Sequence, residues 1–262
     1  MDLEALTAFA DRLADAARQE TLGRWDAGCA VSGKSGKLDF DPVTDADREA
    51  ERAMRALIEA AYPVHGIAGE EFPDKPPQGP HVWSLDPVDG TRSFICRLPS
   101  WTTLIALLED DRPVLGLIDA PCLDERYAAA AGRGTFRSPA CDLPLKTSGC
   151  TVLGEARLTT SEPFILGEAG LEAFCRLRRA ARTTRYGLDG YGYARLAAGS
   201  LDLVVESGLA PHDYNALVPV VTAAGGVIGN WSGGGDLSAG RVIAAATPAL
   251  FEVAVRAMEG VG

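Results

Sequence analysis

The sequence predicts a layered α/β fold, and two observations carry that prediction. In residues 157–259, strand-like apolar runs alternate with segments of helical period, the pattern of sheets covered by helices. In residues 102–131, the runs TTLIALLE, PVLGLIDA and ERYAAAA follow one another across short breaks and read as a meander of strands. The length of 262 residues suits one large domain or two small ones. With 47% hydrophobic and 23% charged residues, the chain can bury a sizeable core.

The chain opens with a helix over residues 2–22, where Leu3, Leu6, Ala10, Leu13 and Ala17 recur near helical spacing. A polar, Gly-rich passage follows with no clear period. The second helix spans residues 45–61. Thr44 suits its N-cap, Asp45 and Asp47 suit the positive helix start, and Met54, Leu57 and Ile58 give an inner face. Tyr62-Pro63 ends it. HGIAGEEF, residues 65–72, is a short strand running into paired acids, and residues 72–81 are Pro-rich loop. Val82, Trp83 and Leu85 read as a buried strand that leaves its sheet at Pro87, which has a fixed φ and no N–H. After the meander, residues 132–156 are turn-rich and read as a crossover. Strands are then expected at 157–160, 183–186, 201–206, 226–230 and 241–246, with helices at 168–181, 189–198, 213–224 and 248–259. The halves divide near residue 140, into an α+β part (1–140) and an α/β part (141–262).

A net charge of −11 and a pI near 4.8 argue against a nucleic-acid partner, which needs a basic face. No run approaches the roughly 18 apolar residues of a membrane span. The N-terminal segment is an acidic amphipathic helix without the basic leader of a signal peptide. Six cysteines (Cys29, Cys96, Cys122, Cys141, Cys150 and Cys175) show no CxxC spacing and no clustering with histidine. Free thiols and a cytoplasmic setting are therefore expected, without structural zinc.

The chemistry centres on residues 81–94, HVWSLDPVDGTRSF. Gly90 permits a tight turn. Asp86 and Asp89, three residues apart, can share a hard divalent cation or bridge a pair of them, and the Val88 carbonyl can add another oxygen. Oxygen-only ligation suits Mg²⁺. Alone, the stretch reads equally well as an Asx-type turn at a strand end. Further acids, Asp47, Glu70 with Glu71, and Asp213, each stand where an element begins or ends. Three competing motifs fail. Residues 28–35, from Gly28 to Lys34-Ser35, match GxxxxGK[ST], but no buried strand precedes them and Pro42 follows too soon for a helix. Residues 39–50 hint at a calcium loop but carry Thr44 and Ala50 where Gly and Glu are required. Asp89-Gly90-Thr91 lacks the second aspartate, two residues earlier, of phosphatases with an aspartyl nucleophile, because Pro87 stands there.

Gly69-Glu70-Glu71, Trp83-x-x-Asp86-Pro-x-Asp89-Gly-Thr91 and Pro211-x-Asp213 with Gly225-Gly226, in that order, closely resemble the inositol monophosphatase family, and Val43-Thr44-x-x-Asp47 fits its upstream motif. The resemblance implies an αβαβα sandwich of the inositol monophosphatase and fructose-bisphosphatase type. It also implies Mg²⁺-dependent hydrolysis of small phosphomonoesters, and a homodimer. By position it makes Glu70, Asp86 and the Val88 carbonyl ligands of one ion, and Asp86, Asp89 and Asp213 ligands of a second, with Asp47 near a third. Mn²⁺ is expected to substitute. Thr91, bonded toward Asp47, would orient the attacking water with Glu70. Lys37 would lie on a loop near the phosphate.

Within that family, residues 183–206 and 213–220 resemble the histidinol-phosphatase branch. The resemblance adds Asp189 and Glu206 to a substrate-binding set of Asp89, Gly90, Thr91 and Asp213. Two acids facing the organic part of the substrate make sense if that part is cationic, as in L-histidinol phosphate. The competing reading of Asp189 is as the cap of the helix beginning there. Ile95-Cys96-Arg97-Leu98 instead resembles the inositol enzymes, so an inositol or other sugar-phosphate or nucleotide phosphatase is the alternative. A P-loop nucleotide-binding protein is the alternative from another class.

Overall fold

The computed structural model describes residues 2–28, 31–33 and 42–259, with backbone alone at 31–33, 42 and 43. Helix α1 (Leu3–Ala27) starts at Asp2, whose carboxylate accepts from the N–H groups of Glu4 and Ala5. β1 (Val31–Gly33) and β2 (Pro42–Thr44) form a small antiparallel pair. α2 (Asp45–Ala61) follows, capped by Thr44. Next come β3 (Gly66–Gly69), β4 (His81–Asp89), the short α3 (Thr91–Ile95), β5 (Thr102–Glu109), β6 (Arg112–Ala120), β7 (Glu125–Ala130), β8 (Arg133–Ser138) and β9 (Cys141–Pro144). These seven strands lie in one sheet in chain order, antiparallel except for β3 against β4.

The rest of the chain supplies β10 (Arg157–Thr160), α4 (Gly167–Ala180), β11 (Thr183–Tyr186), α5 (Asp189–Ala197), β12 (Leu203–Glu206), α6 (Pro211–Tyr214), α7 (Leu217–Ala223), β13 (Val227–Asn230), β14 (Val242–Ala245) and α8 (Pro248–Met258). A second sheet runs β11-β10-β12-β14-β13, with β10 parallel to both neighbours and β14 antiparallel to both of its own.

Side-chain alternation sets the layers. On β5, Ile105 and Leu107 face α1 and α2, whereas Leu104 and Ala106 face α5 and α7. On β12 and β14, Val204 and Ala244 face that same central helical layer, and Val205 and Ile243 face α4 and α8. Both sheets are therefore covered on both faces, which explains apolar runs as continuous as TTLIALLE. The order is helix, sheet, helix, sheet, helix, an αβαβα sandwich. Among the described residues, no helix is long and apolar enough to cross a membrane. The described cysteines, Cys96, Cys122, Cys141, Cys150 and Cys175, are free thiols.

Three sequence expectations are corrected. α1 runs on to Ala27 despite Gly23, because Leu22 and Trp25 pack against the buried cluster of Val88, Phe94 and Trp101. Residues 132–156 are not simply a crossover: β8 and β9 extend the meander, entered through a turn in which Ala131 and Gly132 both take positive φ. The helix expected at 213–224 is two helices. In a single helix Pro219 would be interior, where its ring meets the carbonyl of residue 215; restarting at Leu217 puts it in the first turn. Lys34, Ser35 and Lys37 lie outside the described residues. What precedes the GxxxxGKS stretch is α1, a helix, where a phosphate-cradling loop needs a strand.

Candidate active site

Asp86 and Asp89 both lie on β4. In a regular strand, residues three apart point to opposite faces. Here Asp86 pairs with Leu104 of β5 and Asp89 with Thr102, so three steps on β4 oppose two on β5. The extra residue is a β-bulge that turns Asp89 back to the side of Asp86. Pro87 sits inside the bulge, where its missing N–H does not break the ladder. The chain thus stays in the sheet through Asp89 instead of leaving at Pro87. The Val88 N–H donates to Asp86 Oδ1 at 3.1 Å, and the Thr103 hydroxyl donates to the Pro87 carbonyl at 2.8 Å. Asp89 Oδ2 accepts from the Thr102 hydroxyl and the Gly190 N–H, both at 2.7 Å.

Asp213 enters from α6, its Oδ2 accepting the Ala210 N–H at 2.6 Å. One carboxylate oxygen from each of Asp86, Asp89 and Asp213 falls within 4.8 Å of the others. Asp47 comes from the first turn of α2 and accepts from the backbone N–H and hydroxyl of Thr44. Glu70 follows the end of β3, and the turn it stands on is held by Glu51. That buried carboxylate accepts from the N–H groups of Glu71 at 2.7 Å and Phe72 at 3.3 Å, and pairs with Arg55. Gly69 makes room for it, since a β-carbon there would lie 2.1 Å from Glu51 Oε1. The Thr91 hydroxyl donates to the Val88 carbonyl at 3.1 Å. The bond from Thr91 toward Asp47 is not among those the described residues make, because Thr44 engages Asp47 and Val88 engages Thr91.

These acids form one electrostatic group. Burial pushes Asp86 well above the usual carboxylate range, and the charges of Glu70, Asp89, Asp213 and Asp47 push it further. Asp89 is likewise raised by burial, then by Asp189 and Asp213, against the bonds from Thr102 and Gly190. Burial lifts Asp47 to about 7, with Glu71 and Glu70 adding to it. Carboxylates this crowded ionise together only with a counter-charge. An all-oxygen donor set of this density fits a hard divalent cation.

A cavity of 190 Å³ opens beside the cluster, lined by Asp89 and Asp213 and by two further acids, Asp189 and Glu206. Asp189 has φ +48°, a left-handed conformation that Asp and Asn tolerate. Its N–H donates to the Ser161 hydroxyl at 3.0 Å. Its carboxylate lies over Gly90, where a β-carbon would come within 2.8 Å of Oδ2. Burial raises Asp189, opposed by the hydroxyls of Ser161 and Ser93 and the charge of Arg92. Glu206, at the end of β12, accepts from the Ser161 N–H at 2.7 Å and its hydroxyl at 2.8 Å, and burial lifts it to about 8. A larger hollow of 280 Å³ over Arg18, Arg126 and Arg137 is a structural ion-pair network, its guanidiniums tied to Asp119, Asp124, Asp15 and Asp11.

α5 approaches both sheets through glycines. A β-carbon on Gly190 would lie 2.6 Å from Asp89 Oδ2 and 2.9 Å from the Thr102 hydroxyl, and one on Gly192 would lie 3.3 Å from Thr159 of β10. Gly190→Ala should therefore displace Asp89 and lower kcat/KM by about a hundredfold, the usual effect of misplacing a reacting group by about 1 Å. Steady-state kinetics beside a thermal melt would check this; a folded variant within twofold of wild type would show that α5 does not set the position of Asp89.

The family model of the inositol monophosphatase family matches residues 2–262. The chain belongs to the inositol monophosphatase family. It is 45% identical over 199 residues to the chloroplastic bifunctional phosphatase IMPL2 of Arabidopsis thaliana, covering 75% of this chain and 57% of that protein's length. It is 36% identical over 247 residues to a histidinol-phosphatase of Mycobacterium tuberculosis, with 93% and 92% of the two chains covered. Its fold superposes on an inositol monophosphatase from Zymomonas mobilis with a TM-score of 0.84 at 38% identity, over 99% of each chain. The inositol monophosphatase family acts on small phosphate esters and depends on metal, and its members here are phosphoric monoester hydrolases. Several residues that shape this member's site carried no motif. Glu51, Thr102 and Ser161 act by holding Glu70, Asp89 and Glu206, and only Glu51 left a trace, as a glutamate among apolar positions on the inner face of α2.

Proposed function

We propose that the protein is a Mg²⁺-dependent phosphomonoesterase that hydrolyses L-histidinol phosphate to L-histidinol and phosphate, a reaction of histidine biosynthesis. The observation that carries this reading is one small cavity whose lining joins Asp89 and Asp213 of the carboxylate cluster to two further acids, Asp189 and the buried Glu206. The cluster suits cations that bind a phosphate, and the two further acids suit a cationic leaving group. The likeness to a histidinol-phosphatase over nearly the whole chain supports the substrate.

In this reading Glu70, Asp86, Asp89, Asp213 and the Val88 carbonyl hold two Mg²⁺ ions, with Asp47 close to a third. Mn²⁺ can replace them, and the enzyme is a homodimer. When bound, the ions would offset the charge of the phosphate and lower the pKa of a water toward neutral. Glu70 would accept a proton from the attacking water at its carboxylate, and Thr91 would orient that water by hydrogen bonding. Asp89, Gly90, Thr91 and Asp213 line the phosphoryl end, while Asp189 and Glu206 receive the ammonium or imidazole of the leaving group. No covalent intermediate is required, since Pro87 replaces the second aspartate of the aspartyl-phosphate enzymes.

A second reading, hydrolysis of an inositol or other sugar phosphate, is favoured by the Ile95–Leu98 stretch and by the likeness to an inositol monophosphatase. Phosphate release from a panel of phosphomonoesters, with and without Mg²⁺, separates the two. Asp189→Asn keeps the left-handed backbone and the shape but removes the charge. It should cost histidinol phosphate about ten- to a hundredfold in kcat/KM, from a lost charge-assisted bond of roughly 1.5–3 kcal/mol. A neutral alcohol phosphate should be little affected. Equal losses on both would return Asp189 to a scaffolding role.

A further inference from the structure

Tyr193 stands one turn into α5 and is 1% exposed, its ring packed in the central core against Leu104 and Val204. Its hydroxyl is buried, and among the described residues it has no hydrogen-bond partner. Tyr193 also lines the cavity shared by Asp89, Asp189, Glu206 and Asp213. Burial, and then the charges of Glu206, Asp89 and Asp213, keep the phenol in its neutral form. The hydroxyl therefore lies within electrostatic reach of Glu206, Asp89 and Asp213 together.

An unpartnered buried hydroxyl is costly, and a phenylalanine would fill the same core space without that cost. Tyr127, by contrast, packs in the same core and donates its hydroxyl to Glu125. What distinguishes Tyr193 is that it lines the cavity while its hydroxyl is left without a partner. The charged groups lining that space are carboxylates, so a ligand seated there presents hydrogen-bond donors. A neutral phenol oxygen among them offers one more acceptor at a point where a further carboxylate would add repulsion.

We propose that Tyr193 is a specificity-determining contact, its phenol oxygen accepting a hydrogen bond from an N–H or O–H group of the leaving group between the carboxylate cluster and Glu206. This rests on the phosphomonoesterase reading above. The contact selects alcohols that carry a donor close to the ester, such as amino alcohols and polyols, over purely hydrocarbon alcohols.

The test compares wild type with Tyr193→Phe, both loaded with Mg²⁺. The esters are histidinol phosphate and myo-inositol 1-phosphate, whose leaving groups carry donors, and phenyl phosphate, whose leaving group has none. On the better of the two donor-bearing esters, kcat/KM should fall by about ten- to a hundredfold. On phenyl phosphate it should change by less than about twofold, and the melting temperature should hold or rise, since the hydroxyl removed had no protein partner. Equal losses on the donor-bearing ester and phenyl phosphate, or no loss on either, would overturn the proposal while leaving the phosphatase reading intact. A drop of several degrees in melting temperature would also overturn it, by showing that the hydroxyl serves the fold through a buried water. A wild-type enzyme that cleaves neither donor-bearing ester would sink both.

Discussion

Asp86→Asn is expected to lower kcat on every phosphomonoester by about a thousandfold or more while the protein remains folded. Asp86 is 2% exposed and feels four other carboxylates, Glu70, Asp89, Asp213 and Asp47. In the proposed reading Asp86 is shared by two cation positions, and the transition-state charge stabilisation from such ions is worth several kcal/mol. At about 1.4 kcal/mol per decade, three decades follow. The neutral amide also relieves repulsion in the cation-free protein, so the melting temperature measured in chelator should rise. A variant with high residual Mg²⁺-dependent turnover would remove Asp86 from the machinery.

The second large effect is a pH-dependent stability that cations reverse. Burial raises Glu206 to about 8 and Asp47 to about 7, and raises Asp86, Asp89, Asp189 and Asp213 as well. In the unfolded chain these groups lose their protons near pH 4 to 4.5. Between those values and the raised ones, the folded state holds protons that the unfolded state has released. The associated stability is complete below about pH 4 and is lost as pH rises through about 7 to 8. Glu206 alone contributes on the order of 5 kcal/mol, from a shift of about 3.5 pH units at about 1.4 kcal/mol each. In chelator, the melting temperature should therefore fall by on the order of 10 °C from pH 5 to pH 8. Mg²⁺ should restore more stability at pH 8 than at pH 5, where protons already neutralise the cluster. A chelated protein with a flat or rising profile over this range would contradict the crowding of acids described above.

Much of this fold could be read from residues with a single local consequence. Thr44 and Asp47 start α2 at residue 45 and Pro63 ends it, and the apolar run of β5 was long enough to mark its own ends. β8 and β9 were not legible because their side chains are polar and half exposed, so they carry neither a buried run nor a clean alternation. The last turn of α1 depends on what Trp25 packs against, which no window of sequence contains. The site divides in the same way. Asp86, Asp89 and Asp213 could be named because their residue types and the motifs around them are distinctive. The bulge that brings Asp86 and Asp89 to one side exists only in the register between β4 and β5. Ser161 acts through a contact with a residue 45 positions away, beyond any local pattern.

The position of α5 has a consequence for how the pocket could change. Within three residues this helix meets the bulged strand through Gly190 and the second sheet through Gly192. The spacing between the acids of the first sheet and Glu206 of the second is therefore set by the helix that lies between the two sheets. That width works as a fixed gauge of substrate length, set by helix backbone against strand side chains. Exchanging the side chains at 189, 193 or 206 would retune which charges and donors are accepted, while a longer alcohol would need the helix itself to move. Variants of this scaffold should therefore diverge readily in the polarity of the alcohol they release and only slowly in its length.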